Sequence, residues 1–336
     1  MRAEALEAPA AVARQLAHDA HAYRELGALL RGAPPSSMLT VARGSSDHAA
    51  HYMAYLVMAR LGRLVTSLPM SIVTLYQSRI ACDGLAAFAF SQSGQSPDLV
   101  TPMRAFAEGG ATTVAFVNDA ESPLAAAADW GLPLHAGPET SVAATKSFVT
   151  QLVAGARLVA AWLDDPALHA ALAGLPAVLA EAAQAAWPAA LERLAAAERM
   201  YVIGRGLGLP VAMEAALKFK ETCALQAEAF SGAEVMHGPL ALVDDGFPVL
   251  VFALRGPAHD GLAALAADLR ARGALVLLAA PRGTPGCDLP LVATGAPELD
   301  PVSAIQSFYP MVEALARSRG LDPDRPRHLR KVTRTR

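Results

Sequence analysis

The sequence predicts an α/β protein of two domains, each a parallel sheet flanked by helices. Three observations carry that expectation. Short β-branched or apolar runs alternate with longer alanine- and leucine-rich segments of helical period, the pattern of strands joined by crossover helices. The 336 residues exceed what one core ordinarily organises. The halves also repeat each other: Val41-Ala42-Arg43-Gly44 parallels Ile203-Gly204-Arg205-Gly206, and Val142 with Ser147-Phe148 parallels Val302 with Ser307-Phe308 at nearly the same offset. Each match is short, so chance repetition stays open on these residues alone.

In chain order, residues 9–31 read as a helical leader. Strands are expected at 38–42, 64–67, 85–90, 112–116 and 131–134, with helices between them and a further helix over 140–162. Residues 164–198 read as a helical connector. The second half shows strand-like runs at 200–203, 248–253, 274–279 and 289–292, and helices at 210–225, 260–272 and 301–319. The implied organisation is a leader (1–31), a first domain (32–163), a connector (164–198), a second domain (199–321) and a tail (322–336).

Composition excludes several classes. The chain is 53% hydrophobic and 18% charged, and its apolar runs, such as 38–42 and 248–254, fall short of a bilayer span. Met1 is followed by acidic, alanine-rich sequence without a basic leader or long apolar core, so a cytoplasmic protein with no membrane association is expected. Cys82, Cys223 and Cys287 are scattered and read as ordinary thiols. A net charge of −3 gives no basic field for nucleic acid. Gly204-Arg205-Gly206-Leu207-Gly208 has the wrong glycine spacing for a dinucleotide fingerprint, and neither a phosphate-loop lysine motif nor a paired-histidine metal motif appears. No metal or organic cofactor is expected.

The turn Ser91-Gln92-Ser93-Gly94-Gln95-Ser96-Pro97 follows an apolar strand and opens a helix, where hydroxyls and unpaired amides can hold a phosphate monoester. A plain strand-to-helix turn capped by Ser96 is the alternative. Gly44-Ser45-Ser46 stands at the equivalent end of the first strand, on the edge where ligands of open α/β sheets bind. Glu214, Lys218 and Glu221 share one helical stripe, equally readable as a surface ion-pair ladder. Glu228, Glu234 and His237 follow closely, beside Gly238 and Pro239, and such groups could move protons on a small polar substrate. Residues 322–336 carry six Lys or Arg against two Asp, and composition alone allows a solvated tail or a nucleic-acid arm.

These segments resemble one family. Arg43-Gly44-Ser45-Ser46, Ser91-Gln92-Ser93-Gly94, Thr140-Ser141-Val142-Ala143-Ala144-Thr145-Lys146, residues 214–221, Glu228-Ala229-Phe230, His237-Gly238-Pro239-Leu240-Ala241 and Pro326-Arg327-His328-Leu329-Arg330-Lys331 occur in the order found in sugar isomerase (SIS) domain proteins. The resemblance is to the isomerase half of glucosamine-6-phosphate synthase and to the two-SIS-domain glucosamine-6-phosphate deaminases. It implies two pseudo-symmetric SIS domains, each with a five-stranded parallel sheet. It implies that Ser46, Ser91, Gln92, Ser93 and Ser96 hold phosphate, and that Val142, Ala144 and Arg330 contact the substrate. Glu221 would shuttle a proton between C1 and C2, Lys218 would steady the developing oxyanion, and His237 would open the sugar ring from a neighbouring subunit. Lys331 would form a Schiff base with the keto sugar, making the basic tail a lid. The sequence departs from the synthases at Ser96, where they usually carry Thr, at His328 for their Asn, and at Val332-Thr333 after the lysine.

Because Met1 is followed by Arg2 rather than a cysteine nucleophile, and few residues precede the first strand, the expected direction is catabolic: glucosamine 6-phosphate to fructose 6-phosphate and ammonia. Galactosamine 6-phosphate or a fructosamine 6-phosphate are alternative substrates, and a non-catalytic sugar-phosphate sensor is the alternative class. The partners expected are a small sugar phosphate and a second copy of the chain, in a homodimer with shared sites.

Overall fold

The computed structural model describes residues 1–185 and 187–331; Val332 and Thr333 lie outside the described residues. Two compact units interleave in sequence. Among the described residues, one comprises 10–139, 146–173 and 330–331; the other comprises 1–9, 140–145 and the described part of 174–329.

The leader is two helices, α1 (Arg2–Ala17) and α2 (Ala20–Gly32). In the first unit, β1 (Ser37–Val41), β2 (Thr66–Ser67), β3 (Leu85–Ser91), β4 (Thr112–Val117) and β5 (Trp130–Pro133) form one sheet in the order β2-β1-β3-β4-β5, all neighbours parallel. Around it run α3 (Ser45–Leu61), α4 (Ser71–Thr74), α5 (Pro97–Glu108), α6 (Pro123–Ala126) and α7 (Lys146–Leu163). Every residue of β3 is buried, as expected of a central parallel strand covered on both faces. Leu39, Val41, Leu99, Met103, Phe106 and Leu124 form part of one core beside the sheet.

After α8 (Pro166–Ala182) and α9 (Pro188–Leu194), the second unit repeats the plan. Its strands are β6 (Arg199–Gly204), β7 (Gln226–Ser231), β8 (Pro248–Phe252), β9 (Leu275–Pro281) and β10 (Leu289–Leu291), with α10 (Leu209–Cys223), α11 (His259–Ala271) and α12 (Asp300–Ser318). The sheet order is β10-β9-β8-β6-β7, again parallel throughout. Counted within the unit, both sheets read second, first, third, fourth, fifth. The shared topology is what a duplicated domain produces, and it fits the short sequence repeat. Tyr201, Ile203, Val249, Val251 and Leu278 from three adjacent strands pack into one cluster, closed by Leu262, Ala266 and Leu269 of α11.

Two local expectations fail for identifiable reasons. The strand β7 has no counterpart among the sequence-predicted runs, because it is an edge strand paired only with β6 and leaves Gln226 and Glu228 exposed, which breaks the apolar signal. The helix expected from residue 140 begins only at Lys146. Residues 140–145 are held open instead: Glu4 Oε1 accepts hydrogen bonds from the amides of Thr140 at 2.5 Å and Ser141 at 3.2 Å and from Thr140 Oγ1 at 3.1 Å. Asp324 accepts from Ser141 Oγ at 2.7 Å and, through its backbone carbonyl, from the amide of Val142 at 3.3 Å. Backbone amides satisfied in this way have no need of helical partners. No helix among the described residues is long and apolar enough to cross a membrane.

Candidate active site

In the first unit, β1 and β3 are neighbours whose connections leave in opposite directions, and a crevice opens beyond the carboxyl ends of strands at such a point. The two serine-bearing turns leave from these strands. Ser46 lies in the first turn of α3, and Ser91 ends β3. Ser91 is buried, and its Oγ accepts the Gly94 amide at 3.0 Å. Gly94 has φ +63°, a left-handed conformation that favours glycine. Ser93 Oγ accepts from the Gln95 amide at 3.3 Å. Ser96 stands at the N-cap of α5 with extended backbone and Pro97 follows at the start of the helix, as expected, but the serine hydroxyl donates to Asp98 Oδ1 at 2.8 Å instead of capping an amide. The simple-cap alternative for Ser96 is therefore not what the structure shows.

Asp98 is a residue that sequence reasoning does not single out. Its buried carboxylate also receives Arg43 Nε at 3.1 Å and Nη2 at 3.0 Å, so it ties the turn after β1 to the turn after β3. A short Ser-x-Asp at a helix start is its only local signal. Gln151 of α7 donates to Ser46 Oγ at 2.9 Å and fixes the other serine turn. Gln92 and Ser93 are half-buried. The turns present hydroxyls beside two helix N-termini, an arrangement suited to a phosphate dianion.

Lys331 belongs to the same unit, and its Nζ lies 3.0 Å from Glu139 Oε2. Glu139 is a second residue that spacing does not reveal, since its partner is far along the chain. Arg330 is exposed.

In the second unit, Glu214, Lys218 and Glu221 share a face of α10. Lys218 Nζ lies 3.3 Å from Glu214 Oε1 and 2.5 Å from Glu221 Oε2. Glu214 and Lys218 are buried and Glu221 is 20% exposed, so the stripe is no exposed ladder. Tyr309 of α12 donates to Glu214 Oε1 at 3.3 Å. Burial pushes the Lys218 amine down, but the Glu214 and Glu221 carboxylates outweigh it and hold its pKa above the ordinary lysine value. The group stays an ammonium, able to donate to a developing oxyanion. Glu221 lines a cavity of about 330 Å³ together with Lys220, Thr222, Arg325, Arg327 and His328.

Val142 and Ala144 lie in the open 140–145 loop and are half-buried. His237 is exposed, between two short 3-10 turns (Glu234–Met236 and Pro239–Leu242). Met236 and Leu242, near it in the chain, are large apolar side chains left 47% and 61% exposed.

A model of the SIS domain matches residues 33–161 and 193–280. Among curated proteins, the chain is 36% identical over 346 residues to the glutamine–fructose-6-phosphate aminotransferase (isomerizing) of Aeropyrum pernix, covering 95% of this chain and 55% of that protein. It is 34% identical over 302 residues to the protein of the same name from Sulfolobus acidocaldarius, covering 88% of this chain and 49% of that one. The chain thus spans about half the length of the curated relatives it matches. A solved structure from Silicibacter pomeroyi DSS-3, described as a candidate phosphosugar isomerase, is 47% identical with a TM-score of 0.91, over 96% of this chain and 99% of that one. The C-terminal domain of glucosamine-fructose-6-phosphate aminotransferase from Francisella tularensis shares the fold at 24% identity and a TM-score of 0.82, over 96% of this chain and 97% of that one.

Proposed function

The chain belongs to the SIS domain family, and from that premise we propose that it interconverts the aldose and ketose forms of a phosphorylated sugar. The observation that carries the reading is the Glu214–Lys218–Glu221 array, in which Glu221 lines a cavity while a charged lysine is held against it. Glu221 is the carboxylate that removes the proton at C2 and returns it at C1, and Lys218 steadies the negative charge that develops on the neighbouring oxygen. Ser46, Ser91, Gln92, Ser93 and Ser96 hold the phosphate, with Val142, Ala144 and Arg330 against the sugar. His237, supplied by a second copy of the chain, opens the ring. Lys331 meets the ketose carbonyl as an amine nucleophile.

The finer proposal is that the substrate is glucosamine 6-phosphate. Moving the C2 proton of the open-chain amino aldose to C1 gives a ketimine, which water hydrolyses to fructose 6-phosphate and ammonia. The relatives' names join fructose 6-phosphate, amino transfer and isomerisation, which supports an amino sugar over a plain aldose. The test is incubation with glucosamine 6-phosphate, galactosamine 6-phosphate, fructosamine 6-phosphate and glucose 6-phosphate. Ammonia, ketose phosphate and deuterium uptake at C1 or C2 are followed. Ketose phosphate and ammonia from glucosamine 6-phosphate are expected, and both should be lost in Glu221→Gln while phosphate-dependent binding remains. Binding without turnover or exchange at C1 or C2 on any of the four would make the chain a sensor and overturn the enzyme reading.

A further inference from the structure

We infer that Glu139 is a positioning residue that holds the Lys331 amine and accepts its proton. The inference rests on the reading of Lys331 as the nucleophile and concerns a residue outside the resembling motifs.

Glu139 has a fully buried side chain. Its Oε1 accepts the Ser147 amide at 3.1 Å, and its Oε2 accepts both Ser147 Oγ at 2.6 Å and Lys331 Nζ at 3.0 Å. Ser147 is the second residue of α7, a helix of 18 residues, so the carboxylate is fixed where the amides and dipole favour negative charge. One turn further along α7, Gln151 donates to Ser46 Oγ at 2.9 Å. Ser147 and Gln151 are four apart and share a helix face. One rigid element therefore locates both the carboxylate facing the amine and a serine of the phosphate-binding turn. That separation sets where a ketose carbonyl falls when its phosphate is held.

An ammonium cannot attack a carbonyl. Transfer of one proton from Nζ to Glu139 Oε2 leaves a neutral amine and a carboxylic acid. The nitrogen lone pair then forms the N–C2 bond, the C=O π pair moves to oxygen, and the nitrogen's excess proton passes to that oxygen, giving a neutral carbinolamine. Glu139 returns its proton to the hydroxyl, the C–O bond breaks, and water leaves. The product is a protonated imine facing a carboxylate again, with no net change in Glu139. A buried carboxylate beside the cation also stabilises it, because a low-dielectric setting strengthens the pairing.

The experiment is reductive trapping with fructose 6-phosphate and cyanoborohydride, with the modified lysine identified by mass spectrometry. Wild-type protein should be trapped at Lys331. Glu139→Gln should be trapped at least about tenfold more slowly, a loss below the usual scale of general acid–base help. Its rate should also rise more steeply with pH than the wild-type rate, as expected when bulk solvent must take the proton. The wild-type profile should be flatter, and Glu139→Asp should restore part of the rate. Ser147→Ala, which removes one donor from the carboxylate, should slow trapping without steepening the profile. Equal rates and equal pH profiles in wild type and Glu139→Gln would overturn the inference. Absence of any adduct at Lys331 in wild type would instead overturn the reading of that lysine. Deuterium uptake at C1 of the ketose phosphate, measured in parallel without the reductant, reports separately on Glu221.

Discussion

Lys218 holds its ammonium 3.3 Å from the Glu214 carboxylate, with both side chains shut away from solvent. Removing one partner of such a pair leaves an uncompensated buried charge, at a cost of about 3–5 kcal/mol. Lys218→Met should therefore lose activity and that much stability, read from denaturant unfolding. Adding Glu214→Gln should return much of the stability but none of the activity, because the oxyanion still lacks its cation. Parallel recovery of both would show that Lys218 serves the fold alone. The lysine's pKa is raised, so its stabilising charge is fully present below its unfolded value of 10.5 and is lost only as pH rises through the higher folded value. Stability near neutral pH should carry no titration from this group.

Gly94 turns the serine loop with φ +63°. A Cβ there would overlap Ser122 Oγ and lie 2.8 Å from Val117 Cγ2. Gly94→Ala should cost about 1–3 kcal/mol through strain and overpacking. It should also remove the rise in Tm that inorganic phosphate or a sugar phosphate gives the native protein. Retained phosphate protection in a folded variant would move the anion site elsewhere.

The parts of this molecule legible in the sequence are those whose signal is local. Strands β3, β4, β8 and β9 are buried along most of their length and read as unbroken apolar runs. The serine turn shows itself by its glycine and proline, and the α10 stripe by its spacing. Edge strand β7 is hidden because Gln226 and Glu228 face solvent. Glu4, Asp98 and Glu139 are hidden because each acts on a residue elsewhere: Glu4 on Thr140, Asp98 on Arg43, Glu139 on Lys331. Local periodicity carries no information about such pairs, and a carboxylate in a helix or turn reads as surface until its partner is known.

Glu4 supports the loop that bears Val142 and Ala144. Burial pushes its carboxyl up, but hydrogen bonds from Ser141 and Thr140 outweigh this and hold the pKa below the ordinary 4.5. A depressed carboxylate contributes stability that is present above the unfolded pKa and lost as pH falls through the folded one. Hydrogen exchange at the Thr140 and Ser141 amides should therefore be slow near neutral pH and should lose protection, beyond the intrinsic pH trend, only on acidification below about 4.5. Glu4→Gln should release those amides at neutral pH by about 1.5–3 kcal/mol, the range for hydrogen bonds to a charged group. Unchanged protection would assign the open loop to Asp324 alone.

His237 stands on an exposed surface with Met236 and Leu242 nearby in the chain. If it completes the site of a second copy, Glu221→Gln and His237→Ala disable different chains' contributions, and a hybrid dimer has one site with both groups intact. Equal mixing with subunit exchange makes half the dimers hybrid, so activity should return to about a quarter of wild type in a symmetric dimer with two shared sites. The quantity to measure is turnover before and after exchange of the two inactive proteins. Leu242→Asp, which charges the apolar surface, should block that recovery by preventing association. Recovery that survives in protein shown to be monomeric would place His237 outside any shared site, and no recovery despite demonstrated hybrids would confine it to its own chain.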